Sequence, residues 1–71
     1  MVSGNMTNNI YCYDYDNVIE ENVVLDSANG IYFRVTGNFY ANNQALGNTI
    51  NYANTAGQTD GGGNISYLVK D

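Results

Sequence analysis

The stretch from Gly30 to Ala41 constrains the fold of this chain most, because it is the longest run that alternates like a half-buried strand. Its two sets of alternating residues would lie on opposite faces, with Ile31, Phe33 and Val35 against Tyr32, Arg34 and Thr36. Period-two alternation of β-branched and aromatic residues is typical of a strand with one dry and one wet side. The sequence therefore predicts an all-β protein.

Four other segments show the same strand character. They are Ile10–Tyr15, Val18–Leu25, Thr49–Ala53 and Asn64–Lys70. Val18–Leu25 also fits a short helical face, but its many β-branched residues favour a strand, broken at Glu20–Asn22. With the central stretch, these segments predict about five short antiparallel strands in one domain spanning residues 1–71, arranged as a sandwich or an open barrel.

Glycine and asparagine divide these strands. Asp26–Gly30 ends in Asn-Gly, which supplies the positive φ angles of a tight hairpin. Gly37-Asn38 predicts either a bulge or a second turn. Residues 1–9 are small and polar and predict an N-terminal arm, while residues 54–63 contain three consecutive glycines and predict a flexible loop.

The pair Gly-Asn recurs along the chain, at Gly4-Asn5, Gly37-Asn38, Gly47-Asn48 and Gly63-Asn64. A repeated turn-then-strand unit would produce this recurrence, and so would chance in a chain rich in both residues. The spacing is uneven, and no period of 20 to 50 residues is clear enough to indicate a solenoid.

The small size of the chain limits how it can be stabilised. A domain of 71 residues hides only about 60% of the surface that its unfolded form exposes. Cys12 is the single cysteine and histidine is absent, which excludes an internal disulfide and an ordinary zinc or haem site. An oxygen-liganded cation or association with other copies remains as the source of extra stability.

The charge balance argues against nucleic acids and anionic membranes as partners. Two basic residues stand against seven acidic ones, giving a net charge of -5, so the chain lacks the basic footprint of a nucleic-acid-binding protein. The same balance argues against an anionic membrane surface, and no signal peptide or spanning segment is visible. Most of the polar residues are uncharged. A composition rich in Asn, Gly and Tyr is typical of extracellular and virion-surface proteins, and we predict that location.

The acidic residues offer one candidate site for a cation. Four oxygen-bearing side chains lie close together in the sequence: Asp14, Asp16, Asn17 and Glu20. We expect these side chains to form a solvated acidic face. A calcium site is the alternative, because Ca²⁺ takes six to eight oxygen ligands and the density of oxygens here resembles that spacing. The glycine of an EF-hand loop is missing.

Catalytic chemistry is not indicated. Cys12 has no histidine to act as its base, and the chain has no Trp platform and is too short for the deep cleft of a glycoside hydrolase. We therefore predict that the protein is not an enzyme.

Seven tyrosines form the candidate contact set, because tyrosine offers a large apolar area and a hydroxyl group at small entropic cost. They are Tyr11, Tyr13, Tyr15, Tyr32, Tyr40, Tyr52 and Tyr67. Contact with another subunit is our interpretation, and packing within a small core or binding of a sugar are the alternatives.

Part of the chain resembles a known family. Asn51–Gly61 resembles the Ala-x-Thr-Ala-Gly-x-x-Asp-Gly stretches of phage tail-fibre proteins, and Tyr32–Asn38 is similar to their short β-segments. The resemblance lies within residues 32–61 and implies a trimeric or otherwise interwoven virion fibre. The acidic, Tyr-rich first half has no counterpart in it.

These observations predict a structural protein that self-assembles through strand edges and tyrosines into a filament, fibre or lattice, with strands shared or paired between subunits. Natural monomers protect open edges with lysine, proline or inward charges, and this chain has one lysine and no proline. The alternatives are a carbohydrate- or calcium-binding module and an acidic phage-encoded inhibitor of a host protein.

Overall fold

The computed structural model describes residues 1–5 and 7–67, and every regular element in these residues is a β-strand. The ten strands are β1 (Val2–Ser3), β2 (Asn8–Cys12), β3 (Val18–Glu20), β4 (Val23–Leu25), β5 (Asn29–Phe33), β6 (Phe39–Ala41), β7 (Gln44–Leu46), β8 (Ile50–Ala53), β9 (Thr59–Asp60) and β10 (Ile65–Tyr67). The described residues include no helix long and apolar enough to cross a membrane.

Each strand pairs with the strand three places further along the chain. The strands form three sheets with the orders β1-β4-β7-β10, β2-β5-β8 and β3-β6-β9, and all of the pairings are parallel. Three successive strands therefore make one coil of a parallel β-solenoid. The first coil is β1–β3, the second is β4–β6, the third is β7–β9, and β10 begins a fourth.

The predicted antiparallel sandwich or barrel of about five strands is wrong. After each strand the chain bends into a different sheet, so consecutive strands do not pair, and a strand meets its partner only after a full coil. Asn8 pairs with Asn29, and Asn29 with Ile50. Alternation predicts that Ile31 and Phe33 lie inside, as they do, but it does not specify which strand lies beside which.

A repeat of about 21 residues is present, contrary to the expectation that no solenoid period exists. Hydrogen bonds between equivalent corners of successive coils join residues separated by 21 positions in most cases and by 20 at Gln58. The uneven steps and the short strands hide the period in the sequence. The four Gly-Asn pairs are part of this repeat, since each one lies at a corner.

The corners share one backbone device. A residue with positive φ precedes a polar residue at each of them: Gly4-Asn5, Asp16-Asn17, Glu21-Asn22, Asp26-Ser27, Gly37-Asn38, Asn42-Asn43, Gly47-Asn48, Gly57-Gln58 and Gly63-Asn64. At five corners the side-chain oxygen of the second residue accepts a hydrogen bond from a main-chain N–H of the preceding coil. Each coil is thus attached to the one before it.

The hairpin predicted at Asp26–Gly30 is also wrong. Asp26-Ser27 is a corner, and Asn29 and Gly30 belong to β5, which lies in a different sheet from β4. Gly30 serves a different purpose from a turn. A Cβ atom there would overlap the main-chain oxygen of Asn51 and crowd Asn48 and Val24. The break predicted within Val18–Leu25 is confirmed between β3 and β4, and the turn at Gly37 is confirmed as a corner.

The core lies between the three sheets and is widest in the second coil. Val24, Ile31 and Phe33 have no exposed surface, and Cys12, Ile19, Tyr40 and Ala45 complete the buried cluster. Equivalent residues of successive coils stack in columns, such as Ile10, Ile31 and Tyr52. The predicted faces of the central segment are confirmed for Ile31 and Phe33, although the strand ends at Phe33.

A line of hydrogen-bonded amides runs through the interior beside Gly30. Nδ2 of Asn9 donates to Oδ1 of Asn48 at 3.3 Å, and Nδ2 of Asn48 donates to Oδ1 of Asn51 at 2.9 Å. Nδ2 of Asn51 in turn donates to the hydroxyl oxygen of Ser66 at 2.8 Å. Buried polar groups are costly unless they are bonded, and this line satisfies the buried amides of Asn48 and Asn51 with half-buried Asn9 of the first coil and exposed Ser66 of the fourth.

The segments predicted as an arm and a loop contribute to the solenoid. Residues 1–9 supply β1 and the beginning of β2, and residues 54–63 supply β9 and the corner at Gln58. Of the predicted last strand, residues 65–67 form β10, and Leu68, Val69 and Lys70 lie outside the described residues.

Candidate interaction surfaces

A cluster of aromatic rings covers the outer face of the second sheet. We call Tyr11, Tyr13, Tyr32 and Arg34 the aromatic patch. Tyr11 and Tyr32 are paired across β2 and β5 with ring centroids 5.5 Å apart, and the Tyr13 ring meets Tyr11 edge-on at 6.1 Å. The Arg34 guanidinium lies 4.1 Å from the centroid of Tyr13. The patch presents amphipathic rings and one cation to solvent.

The register of the coils produces this patch. Tyr11 and Tyr32 occupy the same position in successive coils, so parallel pairing places their rings side by side. The main-chain N–H of Arg34 donates to the carbonyl oxygen of Cys12, and its side chain donates to that of Tyr13 at 3.3 Å. These bonds and the cation–π contact hold the guanidinium over the ring.

The other four candidate tyrosines are not part of the patch. Tyr15 and Tyr67 are exposed, with 62% and 60% of their surface accessible. Tyr40 is buried, and Tyr52 packs against the core with its ring 5.7 Å from that of Tyr40. The structure therefore places three of the seven tyrosines together on one surface and two of them inside.

The inner tyrosines have altered ionisation. Burial raises the pKa of Tyr52 to about 12, with smaller contributions from Tyr40 and the charge of Asp60. Burial, followed by the charge of Asp60, also raises the pKa of Tyr40. The hydroxyl of Tyr52 donates to the carbonyl oxygens of Asn43 and Ile65, at 3.1 and 2.8 Å. Tyr52 thus connects the third coil to the beginning of the fourth.

A groove of about 330 Å³ opens at the first coil. It is lined by Ile10, Tyr11, Cys12, Tyr13, Asp14, Asn17, Val18 and Ile19. Ile10, Cys12 and Ile19 belong to the first-coil part of the core, to which Val2 of β1 also contributes. The groove therefore lies at the end of the core where no preceding coil is stacked within the described residues.

Two of the four candidate calcium ligands, Asp14 and Asn17, line this groove, and both make hydrogen bonds to the main chain. Oδ1 of Asp14 accepts a hydrogen bond from the main-chain N–H of Tyr15, and Nδ2 of Asn17 donates to the carbonyl oxygens of Asp14 and Tyr15. Asp16 is a corner residue with φ of 60°, and Glu20 is exposed at the end of β3. In residues 1–5 and 7–67 no three His, Cys, Asp or Glu side chains are grouped to hold a metal ion.

The two ends of the solenoid expose strand edges. The edges of β1, β2 and β3 at one end, and of β10, β8 and β9 at the other, pair with no further strand of the described chain. At the first end, the side-chain oxygens of Asn17 and Asn22 accept no hydrogen bond from the described residues, whereas their equivalents Asn38 and Asn43 accept one from the coil before.

The corner asparagines are the structural residues that the sequence analysis missed. A signal for them was present, since residues able to adopt positive φ precede Asn, Ser or Gln with a spacing of 20 to 22. Restricting the search to Gly-Asn found only four of the nine corners. No protein-family model, curated protein or solved structure matches the chain.

Proposed function

We propose that this chain is a non-enzymatic structural protein that associates with copies of itself into a filament or fibre at a virion surface or outside the cell. The observation that carries the proposal is the pair of open ends. Three parallel sheets stop at each end with unpaired edges in the described residues, and such edges are templates for pairing with another chain.

The first end supports this proposal through its chemistry. Its groove exposes part of the apolar core, with Val18 64% accessible and Ile10 half-buried. Neither lysine nor proline occurs in β1, β2 or β3, and both are common means of protecting an edge. Covering the groove with another copy would remove this apolar surface from water.

The resemblance to phage tail-fibre proteins supports the same proposal. The resembling segment Asn51–Gly61 contains β9 and the corner at Gln58, which are parts of the solenoid wall. A wall built from identical short steps suits a fibre, because each added coil repeats the contacts of the previous one.

Sedimentation velocity and negative-stain microscopy of the purified chain test this function. At micromolar concentration and raised ionic strength, which screens the net charge of -5, we expect particles of regular width whose length grows with concentration. A single sharp monomer peak across a hundredfold range of protein and across salt conditions would refute the proposal.

The aromatic patch supports a second candidate, a carbohydrate-binding role. Tyr11 and Tyr13 are 49% and 60% exposed, and side-by-side tyrosine rings offer apolar faces with hydroxyl groups at their rims. Titration of neutral oligosaccharides followed by NMR would test it. Shifts confined to the patch and lost in Tyr13→Ala, but kept in Tyr67→Ala, would support sugar binding, and no shifts at millimolar sugar would reject it.

A further inference from the structure

The three sheets do not end at the same level. The first sheet has four strands, while the second and third have three each. The extra strand is β10, which begins a fourth coil on top of β7, and within the described residues no strand lies beyond β8 or β9. At the end of the solenoid formed by β8, β9 and β10, the first sheet therefore extends one strand beyond the other two.

The first end has the matching shape once β1 is set aside. Strands β2 and β3 then lie one level below β4, and the lower edge of β4 is open. A second copy placed with its β2 on β8 and its β3 on β9 would bring the edge of its β4 onto β10. The two ends then close into one coil, built from β10 of one copy and β2 and β3 of the next.

The register of the first sheet supports this fit. Leu25 pairs with Leu46, and Leu46 pairs with Tyr67, so each step along the sheet keeps the same alignment. Leu25 pairs on its other side with Ser3 of β1. By the same step, Tyr67 of one copy takes the position of Ser3 beside Leu25 of the next. Strands β10 and β1 are therefore alternatives for the same edge.

We infer that copies of this chain join head to tail by strand replacement, in which β10 of one copy displaces β1 of the next. This inference rests on the proposed self-association and specifies its interface. Strand β1 has only two residues and follows Met1, which is 84% exposed, whereas β10 has three. A strand of two residues that is bonded on one side only is easily displaced.

The corner hydrogen bonds continue across this junction. Oδ1 of Asn43 accepts from the N–H of Asn22, and Oδ1 of Asn64 accepts from the N–H of Asn43. The next acceptor in this series is Oδ1 of Asn22 in the following copy, which accepts no hydrogen bond from the described residues. The N–H of Asn64 likewise donates none to them, so the junction would supply each with its missing partner.

Charge opposes the junction. Ile19 of the second copy would stack above Asp60, because Ile19, Tyr40 and Asp60 share one column. The Asp60 carboxylate accepts hydrogen bonds at 2.8 Å from the N–H of Gly62 and from Nδ2 of Asn64, which satisfy part of it. Covering this charge and joining two acidic ends both disfavour assembly at low salt, so we expect salt to promote it.

Cysteine crosslinking tests the predicted contact. Within one chain, Leu25 and Tyr67 lie on either side of Leu46 and are about 10 Å apart by strand spacing, beyond the roughly 7 Å that a disulfide spans. In the junction they are neighbours. Mixing Leu25→Cys with Tyr67→Cys chains under mild oxidation should give a mixed dimer, and the double variant should give a ladder of covalent oligomers.

The controls separate this interface from self-association in general. The parent chain, which keeps Cys12, and each single variant alone should give no mixed product. Val23→Cys with Ile65→Cys tests the same register if the first pair fails to fold. Particles without either crosslink would overturn the strand replacement and leave the proposed function standing, while absence of particles would overturn both.

Proline provides an independent test. The main-chain N–H of Ile65 donates to, and the carbonyl oxygen of Tyr67 accepts from, the segment that contains β7. Alternate residues of a parallel strand bond to opposite neighbours, so the N–H of Ser66 points to the free edge. Ser66→Pro should abolish the particles, with the monomer still folded by circular dichroism. Ser66→Ala, which loses only the hydroxyl group, should retain them. Equal assembly of the two variants would contradict the inference.

Discussion

The first and last parts of the solenoid follow the same backbone plan but end the core in opposite ways. At the first coil, Ile10, Cys12 and Ile19 line an open apolar groove. At the other end the corresponding positions become small or polar, since Val24 and Ala45 are followed in their column by Ser66, and Tyr40 is followed by Asp60. The first end therefore presents apolar side chains in these core columns, whereas the other end presents Ser66 and Asp60.

This difference indicates that the coils contribute unequally to the free energy of unfolding. The second coil is covered on both sides and contains the largest fully buried apolar side chains, those of Val24, Ile31 and Phe33, so most of the apolar burial lies there. The last coil depends on amide and hydroxyl contacts, which contribute less per group. Mutations in the middle coil should therefore cost most, and those at the ends should cost least.

The largest effect is expected from Phe33→Ala. Phe33 is fully buried at the centre of the core, and its removal should lower the free energy of unfolding by about 3–5 kcal/mol. Tyr15→Ala, at an exposed position of the first coil, should change it by less than about 0.5 kcal/mol. Urea unfolding followed by circular dichroism measures both. Similar losses for the two variants would mean that the core is not centred on the second coil.

Gly30→Ala should follow in size. The added methyl group meets the main-chain oxygen of Asn51 and the side chains of Asn48 and Val24, so the loss should reach about 3 kcal/mol. Gly62→Asn is the matched control, because the space around Gly62 is open and asparagine tolerates its positive φ of 96° better than most residues. A thermal melt of Gly30→Ala that overlays the parent melt would show that this interior contact is absent.

Asn43→Ala and Asn22→Ala together compare a corner whose side-chain oxygen accepts a hydrogen bond from the preceding coil with one whose oxygen accepts none from the described residues. Asn43 accepts from the N–H of Asn22 and donates to the carbonyl oxygen of Ile19, and it is fully buried. Its loss leaves buried groups unpaired and should cost about 1–3 kcal/mol. Asn22→Ala removes an acceptor that has no partner in the described residues, together with the hydrogen bonds that Nδ2 donates to the carbonyl oxygen of Glu20 and to Oδ1 of Asn43. Because Asn22 is only half-buried, this change should cost less, about 1 kcal/mol. Denaturant unfolding measures both variants. A larger loss of unfolding free energy for Asn22→Ala than for Asn43→Ala would contradict this prediction.

The smallest effect concerns alkaline pH and the connection to the fourth coil. A tyrosine whose pKa is raised in the folded state holds its proton more tightly there, so its contribution to stability is complete below pH about 10. For Tyr52 this contribution is lost as the pH rises toward about 12. Ionisation should also break its bonds to Asn43 and Ile65, which loosens the last coil.

Tyr52→Phe provides the measurement. Circular dichroism and tyrosinate absorbance, recorded together from neutral to alkaline pH, should show the variant losing less structure between pH about 10 and about 12 than the parent does. Tyr15→Phe should behave like the parent, because Tyr15 is exposed. Identical curves for the parent and Tyr52→Phe would exclude Tyr52 as the titrating group.

The local sequence pattern predicts several strand faces of this protein and one break between strands. The inward positions Cys12, Ile31 and Phe33 follow from alternation, and the break after Glu20 follows from polar residues inside a β-branched segment. These features depend only on near neighbours in the chain. The surface location of Tyr11 and Tyr13 follows from the same alternation.

The partner of each strand could not be read in the same way. Asn29-Gly30 favours a hairpin by local chemistry, yet in the folded chain Gly30 is required by the interior contact with Asn51, a residue one coil away. Contacts across a coil override such local preferences.

The sequence by itself determined that the chain is all-β and that Ile31 and Phe33 face inward, and its Gly-Asn pairs marked four of the nine corners. Only the tertiary structure decided that the strands are parallel, that nine corners repeat about every 21 residues, and that Tyr40 and Tyr52 lie inside while Tyr11 and Tyr32 stack outside. The physical reason is that alternation is a property of one strand, whereas the neighbour of a strand is chosen by the stacking of whole coils.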